Sequence, residues 1–266
     1  MASQERQAPA TLVTRAGSYR EQPAERQLAG HFHCLWSHNI ASSGRVAIVP
    51  DGYCDLVWIA GRVMVAGPDR TSAFPDMPMG AEVVGARFAP GSAAGWLGVA
   101  LSEIVGQSVP LEDFWGTRAR TLGQQLSDCG DNQERLRLLQ LVLEKEAGEH
   151  SPPPDDIRHA FGIATAHSTD DLTDRLLADI GIGERQLRRR CRHYFGYGAK
   201  TLSRIRRFQR LLSLLRSSPS ASLAEIAFTV GYSDQAHMNR DVRELSSMTP
   251  LELQRQAAPS TATQAS

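Results

Sequence analysis

The sequence contains no long apolar run and carries no net charge. No run approaches the roughly 18 apolar residues that a membrane-spanning helix needs. The N-terminal segment also lacks the apolar core of a signal peptide. We therefore expect a cytoplasmic protein that does not enter a membrane.

Cysteine is scarce, and the few cysteines are widely spaced. No C-x-x-C pair occurs among them: Cys34, Cys54, Cys129 and Cys191. A zinc ribbon requires such pairs, and a disulfide framework is typical of shorter, cysteine-dense chains. The sequence therefore favours neither, and we predict no metal site and no cofactor.

The net charge of zero, from 29 basic and 29 acidic residues, conceals an uneven distribution. Residues 1–154 carry 13 basic and 17 acidic side chains, whereas residues 155–256 carry 16 and 12. Residues 183–216 contain 11 basic side chains and a single acid, Glu184. A polyanion responds to such a local field and not to the average charge. A charge run is often only a solvated helix face, so its structural context decides its meaning.

A run of three prolines divides the chain. Residues 151–154, SPPP, are typical of a stiff, extended linker between two domains. We place an N-terminal domain at residues 12–150 and a C-terminal domain at residues 155–256. Residues 1–11 and 257–266 are small and polar, which predicts disordered tails.

Strand patterns dominate the first part of the N-terminal domain. Apolar runs alternate with turn signals between residues 31 and 88, and Gly61 separates two runs that predict a hairpin. The predicted strands are 45–49, 55–60, 62–66 and 82–88.

Helical patterns follow from residue 92 onward, in short segments and then in a helical pair at 121–126 and 132–147. In the second of these, Leu136, Leu139 and Leu143 form one stripe at helical spacing. Such a stripe favours core packing over a dimer seam.

Two groups of N-terminal side chains have the chemistry of a binding site. His31, His33, Cys34 and His38 are metal-ligand types, but strand alternation separates Cys34 from His31 and His33. A metal needs three or four converging ligands, which this pattern does not supply. The aromatic residues could line a pocket, although core packing is the favoured interpretation: Trp36, Tyr53, Trp58, Phe88, Trp96 and Trp115.

The C-terminal domain contains the same helix-turn-helix pattern twice. An apolar stripe ends at Gly181 in the first copy and at Gly231 in the second. A second helix then presents Leu187 and Arg189 in the first copy, and Met238 and Arg240 at the equivalent positions. The glycines are 50 residues apart and the later pairs 51, so the second turn is one residue longer. This arrangement is how many proteins insert a helix into the major groove.

A long helix is predicted between the two copies, at residues 198–217. Its buried stripe comprises Leu202, Ile205, Phe208, Leu212 and Leu215. Its polar face comprises Lys200, Arg204, Arg207 and Arg210. About 20 residues span about 30 Å, close to one turn of B-DNA. We predict an α+β protein, in which a mixed β-strand and helix domain precedes an all-α, seven-helix tandem helix-turn-helix domain.

The second helix of each copy carries side chains suited to DNA. Arginine can donate two hydrogen bonds to guanine, whereas Gln and Asn suit adenine. We predict base contacts by Arg185, Arg188 and Arg189 in the first copy, and by Gln235, Asn239 and Arg240 in the second. Asp234 is expected to cap its helix. We predict phosphate contacts for five further basic residues, on the same helices and on the helix that connects the two copies: Arg190, Arg192, Lys200, Arg204 and His237.

These segments resemble the DNA-binding domain of the AraC/XylS family of transcription regulators. The similarity is carried by IGERQLRRRCRHYFG, AKTLSRIRRFQRLLSLL and AEIAFTVGYSDQAHMNRDVRELSSMTPLELQ. The resemblance implies binding to double-stranded promoter DNA and activation through RNA polymerase. It also implies a base contact by Ala236. Gly183, Ala199 and Ser247 differ from the usual family residues, but none of these differences removes a DNA-facing group.

Residues 30–126 resemble an uncharacterised domain found on some regulators of this family. The matching segments are VPDGYCDLVW, ARFAPGSAAGWLG and VPLEDFWG. By analogy, such a domain senses a small-molecule effector or forms a homodimer.

Two alternatives to a sequence-specific regulator remain open, although the sequence favours neither of them. A DNA-repair alkyl-transfer enzyme would need clustered cysteines that bind zinc and accept a methyl group, so we predict no catalytic residues. A nonspecific DNA binder would need charge alone, without Arg, Gln and Asn in fixed register. Sequence discrimination that survives an increase in salt would separate it from a regulator.

Overall fold

The structure, a computed structural model, describes residues 11–41, 45–75, 77–166 and 172–257. The predicted tails lie outside these ranges except at two positions. Thr11 belongs to a strand and Ala257 ends a helix, so both residues are part of the fold. Among the helices described, none is long and apolar enough to cross a membrane.

A six-stranded antiparallel sheet forms the centre of the N-terminal domain. The strands are β1 (Thr11–Leu12), β2 (Gly17–Pro23), β3 (Phe32–Ile40), β4 (Val46–Ala47), β5 (Asp55–Ile59), β6 (Arg62–Ala66), β7 (Glu82–Phe88) and β8 (Ser108–Pro110). The order in the sheet is β2-β3-β7-β5-β6-β8, while β1 pairs with β4 in parallel. The predicted hairpin is confirmed, because Ile59 of β5 pairs with Arg62 of β6.

The strands differ from the sequence-based prediction in several places: β1, β2 and β8 were not predicted, and no bounds were predicted for β3. Strand β2 was not predicted, because this edge strand exposes most of its polar residues and shows no alternation of apolar side chains. The strand predicted at residues 45–49 is shorter, since only Val46 and Ala47 form β4 and Ile48 makes an isolated bridge to Ala73.

Helices cover the sheet and complete the N-terminal core. They are α1 (Ala93–Leu97), α2 (Glu112–Trp115), α3 (Thr117–Asp128) and α4 (Asn132–Ala147), with a 3₁₀ turn at Leu101–Glu103. Helix α3 packs on β6, and α4 packs on β3 and β7. The predicted stripe of α4, including Leu139 and Leu143, is buried in this core.

Seven helices form the C-terminal domain within the described residues, which confirms the predicted architecture. They are α5 (Asp155–Ala166), α6 (Leu172–Ile180), α7 (Glu184–Phe195), α8 (Ala199–Ser217), α9 (Leu223–Thr229), α10 (Gln235–Ser246) and α11 (Pro250–Ala257). The predicted apolar stripe of α8 is buried in a core shared by all seven helices.

One residue of the predicted polar face of α8 is buried. Arg207 retains only 4% of its surface, because its guanidinium group lies 4.3 Å above the Tyr232 ring and 3.6 Å from the Asp241 carboxylate. A buried charge requires such partners. The assignment of Arg207 to a solvent-facing surface was therefore wrong.

The loop between β4 and β5 connects the two domains through α8. Arg206 Nη1 donates a hydrogen bond to the Asp51 carbonyl at 2.8 Å, and Gln209 Nε2 donates to the Pro50 carbonyl at 2.7 Å. The Arg206 guanidinium also lies 4.8 Å from the ring centre of Phe161 in α5. Backbone acceptors of one domain are thus satisfied by side chains of the other.

The end of α7 also contacts the N-terminal domain. Gly196 follows α7 with φ of 83°, and a Cβ atom there would lie 2.6 Å from Val105 Cγ2 and 2.8 Å from Pro68 Cγ. Both the backbone angle and the lack of space favour glycine at this position.

We predict that Gly196→Ala lowers the free energy of unfolding by about 2–4 kcal/mol, because strain and steric overlap add. Gly181→Ala is the matched control, since Gly181 has φ of 67° but nothing within 4 Å of its Cβ position. Only the strain of about 1–2 kcal/mol applies there. Urea denaturation followed by tryptophan fluorescence and circular dichroism measures both, and equal losses would contradict the contact at Gly196.

Candidate nucleic-acid interface

Helices α6 and α7 form the first helix-turn-helix unit. Gly181 ends α6 with positive φ, which lets the chain reverse direction within three residues. Leu187, Cys191 and Phe195 lie on the inner face of α7 and are buried. The inward orientation predicted for Leu187 and Cys191 is confirmed.

The outer face of α7 is strongly basic. Four arginines on this helix are exposed: Arg185, Arg188, Arg189 and Arg192. Because the inner face is fixed by the buried core, these side chains project from the unit on one side. This is the geometry that a recognition helix requires.

Helices α9 and α10 form the second unit, and a defined cap starts its second helix. Gly231, also with positive φ, precedes α10 by four residues instead of three, as the repeat predicted. Asp234 Oδ1 accepts a hydrogen bond from the His237 backbone N–H at 2.6 Å. This hydrogen bond keeps the pKa of Asp234 below its usual range. The predicted capping role of Asp234 is confirmed.

Helix α10, like α7, has a buried apolar face and a more exposed outer face. Met238, Val242 and Leu245 are buried in the domain core. The predicted base-contact residues Gln235, Ala236 and Arg240 are exposed, and Asn239 is partly buried. The structure therefore brings six of the seven predicted base-contact residues to exposed positions on α7 and α10: Arg185, Arg188, Arg189, Gln235, Ala236 and Arg240.

The residues predicted to contact phosphate differ in their exposure and in whether they already have a partner within the protein. Arg190 Nη2 donates to Asp156 Oδ1 at 2.6 Å, so its charge already has a partner within the domain. Lys200 and Arg192 are exposed and fit the predicted role more directly. His237 is partly buried, with Nδ1 lying 3.1 Å from Ser233 Oγ.

Arg204 belongs to a network that links α8 to α10. Its Nε donates to Asp241 Oδ1 at 2.6 Å, and its Nη2 donates to Glu244 Oε2 at 2.6 Å. Tyr232 donates its hydroxyl to Asp241 Oδ2 at 3.0 Å, and Arg207 lies on the other side of this carboxylate. The buried Asp241 thus fixes α10 against α8.

The sequence analysis did not identify Asp241 as a structural residue. The sequence did contain a signal for this network. Arg207 lies on the buried side of α8, next to Phe208 and four residues before Leu211. A charge at such a position requires a buried acidic partner.

The N-terminal domain forms one wall of a groove beside α7. Ala100, just before the 3₁₀ turn, and Ser102, within it, line this groove together with Arg185, Arg188 and Arg192. The predicted DNA-contact surface of the first unit is therefore adjacent to the other domain.

A second cavity, of about 340 Å³, lies between the sheet and α5. Phe32, His33 and Pro90 line it from the N-terminal domain, and Arg158 and Phe161 from α5. Its walls are mainly apolar, with a basic side chain at one side.

The other side chains considered as N-terminal site candidates make hydrogen bonds or packing contacts within the domain. Trp96 Nε1 donates to His31 Nδ1 at 3.1 Å, and Trp36 Nε1 donates to Asp55 Oδ1 at 3.2 Å. Four of the six aromatic residues are buried in the core: Trp58, Phe88, Trp96 and Trp115. Within the described ranges, no group of three or more His, Cys, Asp and Glu residues is placed to hold a metal ion.

Two family models match the chain. Residues 176–256 match a helix-turn-helix domain, and residues 20–110 match a domain of unknown function, DUF6597. No curated protein matches the chain. The matches agree with the resemblances inferred for both halves. The helix-turn-helix match supports a DNA-binding transcription regulator.

Several solved structures are also similar. A probable AraC family transcriptional regulator from Rhodopseudomonas palustris is 23% identical, covers 40% of this chain and 100% of its own, and has a TM-score of 0.36. An apo ToxT variant from Vibrio cholerae is 10% identical, covers 89% and 100%, and has a TM-score of 0.48. ToxT with a bound unsaturated fatty acid is 10% identical, covers 84% and 94%, and has a TM-score of 0.42.

We predict that Asp241→Ala lowers the free energy of unfolding by about 3–5 kcal/mol, because it leaves the buried charge of Arg207 without its carboxylate. Glu244→Ala is the control. It removes the exposed partner of the same Arg204 and is expected to cost less than about 1 kcal/mol. Denaturant unfolding monitored by circular dichroism measures both, and similar costs would refute the buried network.

Proposed function

We propose that this chain, which joins a domain of unknown function to a C-terminal helix-turn-helix domain of the AraC type, is a cytoplasmic, sequence-specific regulator of transcription. One observation carries the proposal. Helices α7 and α10, which precede and follow the connecting helix α8 in the chain, present exposed Arg and Gln side chains together with the partly buried Asn239. This composition suits both guanine and adenine in the major groove.

The length of α8 matches the geometry of the duplex. Its 19 residues span about 28 Å, and successive major grooves on one face of B-DNA repeat at about 34 Å. The buried contacts of Asp241 and of the α8 stripe hold the two units on this helix. A single chain can therefore contact two successive grooves without a second copy.

Both helix-turn-helix units are expected to contact bases, and nearby basic residues are expected to contact phosphates. We assign base contacts to the predicted residues of each recognition helix: Arg185, Arg188, Arg189, Gln235, Ala236, Asn239 and Arg240. Lys200 and Arg192 are the strongest candidates for phosphate contacts, because both are exposed. Arg190, Arg204 and His237 would need to share their present partners with DNA.

The N-terminal domain would control this binding. A small molecule in the cavity between Phe32 and Phe161 would touch both domains, so its binding would depend on their arrangement. Arg158 lines the cavity and pairs with Asp155, and its guanidinium group would have to share that partner to bind an effector with an anionic group. The same domain is our candidate for homodimer formation. Promoter-bound protein would act on RNA polymerase, as the AraC/XylS resemblance implies.

The buried cysteine thiols do not suit the alkyl-transfer alternative. Burial raises the pKa of Cys34 to about 12 and that of Cys191 to about 11, and it raises the pKa of Cys54 well above its usual value. A methyl acceptor must be a thiolate. These three cysteines are therefore held as neutral thiols at physiological pH.

Selection of bound sequences from a random duplex library tests the proposal. We expect the full-length protein, at near-physiological salt, to enrich a motif with two blocks about 10 base pairs apart. Binding without enrichment that fades as salt rises would instead indicate a nonspecific binder or a regulator that requires its effector, and repeating the selection with residues 155–256 alone would separate these two outcomes.

We predict that Arg188→Ala and Arg240→Ala each weaken binding to the selected site by about 1–3 kcal/mol and relax preference at one base pair. Lys200→Ala is the control for phosphate contact and should reduce the salt dependence of binding without changing sequence preference. Affinities for the selected site and for single-base variants measure these effects. Equal weakening on every sequence would show that Arg188 and Arg240 contact phosphate instead.

A further inference from the structure

Four exposed arginines of α7 have no acidic partner within the described part of the chain: Arg185, Arg188, Arg189 and Arg192. Arg190, on the same helix, shows the contrast, because it pairs with Asp156 at 2.6 Å. Like charges three or four residues apart on a helix repel one another. The outer face of α7 therefore favours a polyanion that lies along it.

The groove beside α7 places a wall of the N-terminal domain next to these arginines. Its volume is about 920 Å³, and Ala100 and Ser102 form the wall. None of the described residues that line the groove is acidic. Glu103, which ends the 3₁₀ turn, instead accepts a hydrogen bond from the Ala100 backbone N–H at 3.3 Å. The groove thus combines a concave shape with positive charge, which suits a polyanionic occupant.

The 3₁₀ turn is held against α7 by packing. Leu101 is buried, and a Cβ atom at Gly196 would lie 3.2 Å from the Leu101 carbonyl oxygen. Tyr194 packs against the hydrophobic cores of both domains. Between the buried Leu101 and Ile104, Ser102 stays partly exposed, and its hydroxyl group has no hydrogen-bond partner among the described residues. The turn therefore presents a hydroxyl group to the groove from a packed position.

We propose that this turn is a third part of the DNA interface, and that one strand of the duplex runs through the groove between Ser102 and the arginines of α7. The inference rests on the proposed function and adds a contact from the N-terminal domain. A helix that lies in a major groove about 12 Å wide has a phosphate backbone on each side. The turn packs directly beside α7, where one of these backbones passes. Serine hydroxyl groups are common partners of DNA phosphates, so Ser102 donates a hydrogen bond to a phosphate of this strand.

The contact at Ser102 adds affinity without sequence preference, because phosphates carry no sequence information. It also makes DNA binding by α7 depend on the position of the N-terminal domain. A change in the arrangement of the two domains would move Ser102 away from the strand and remove the contact.

Charge substitutions at Ser102 in the full-length chain test the contact. We expect Ser102→Lys to lower the dissociation constant for the selected site about fivefold at about 50 mM salt, because it adds a cation beside a phosphate. Its affinity should also fall more steeply with salt, by about one unit in the double-logarithmic slope. Ser102→Glu should raise the dissociation constant by about the same factor. Fluorescence anisotropy of a labelled duplex measures these values, both for the selected site and for an unrelated sequence.

Ser18→Lys and Ser18→Glu are the matched controls, since Ser18 is exposed on β2, at the opposite edge of the sheet from β8. They change the net charge equally but should leave both dissociation constants within about twofold of the wild type. Circular dichroism checks that all four variants are folded. Equal effects at the two serines, or weaker binding by both Ser102→Lys and Ser102→Glu, would overturn the contact while leaving the proposed function standing. A wild type that binds no duplex would overturn the proposed function as well, so the two failures are distinguishable.

A tethered cleavage reagent locates the strand. An iron chelate attached to the thiol of Ser102→Cys, in a Cys129→Ser background, cleaves nearby DNA when ascorbate and hydrogen peroxide are added. Cys129 is replaced because it is partly exposed, whereas the other three cysteines are buried. We expect cleavage at the border of the block bound by α7, and none above background for Ser18→Cys. Absence of cleavage by Ser102→Cys on a bound duplex would overturn the proposed path of the strand.

Discussion

The packing of α8 is the constraint on which the rest of the structure depends. Its apolar side is buried among the other C-terminal helices, so both helix-turn-helix units share one core. On its partly polar side, Arg204 and Arg207 hold the Asp241 carboxylate of α10, while Arg206 and Gln209 bind the loop at Pro50. One helix therefore fixes the spacing of α7 and α10 and also attaches the N-terminal domain.

The N-terminal domain contacts the DNA-binding domain at several separate places. Ser72 N–H donates to the Leu245 carbonyl near the end of α10, and Leu12 N–H donates to Gln256 in α11. Gly196, at the end of α7, lies against Val105 and Pro68 of the same N-terminal domain. Because these contacts reach both recognition helices, a change in domain arrangement would affect both units together. This is the physical basis on which an effector or a second copy could regulate DNA binding.

The sequence predicted the parts of the molecule that depend on local patterns. The seven helices, the buried stripe of α8 and the cap at Asp234 follow from helical spacing and from residue type, and the structure confirms them. Contacts between distant residues were not predictable in this way. The burial of Arg207 depends on Asp241, 34 positions later, and the hydrogen bond of Arg206 depends on Asp51 in the other domain. The polar edge strand β2 gave no periodic signal because most of its side chains are exposed on both faces of the sheet.

In the proposed function, α8 holds α7 and α10 for simultaneous contact with one face of a duplex. The most direct measurement is the affinity of the protein for its selected site before and after insertion of about five base pairs, half a helical turn, between the two blocks. We expect the affinity to fall at least about tenfold, because the second block then faces away from α10. An unchanged affinity would contradict it, since the two units would then bind independently of their spacing on α8.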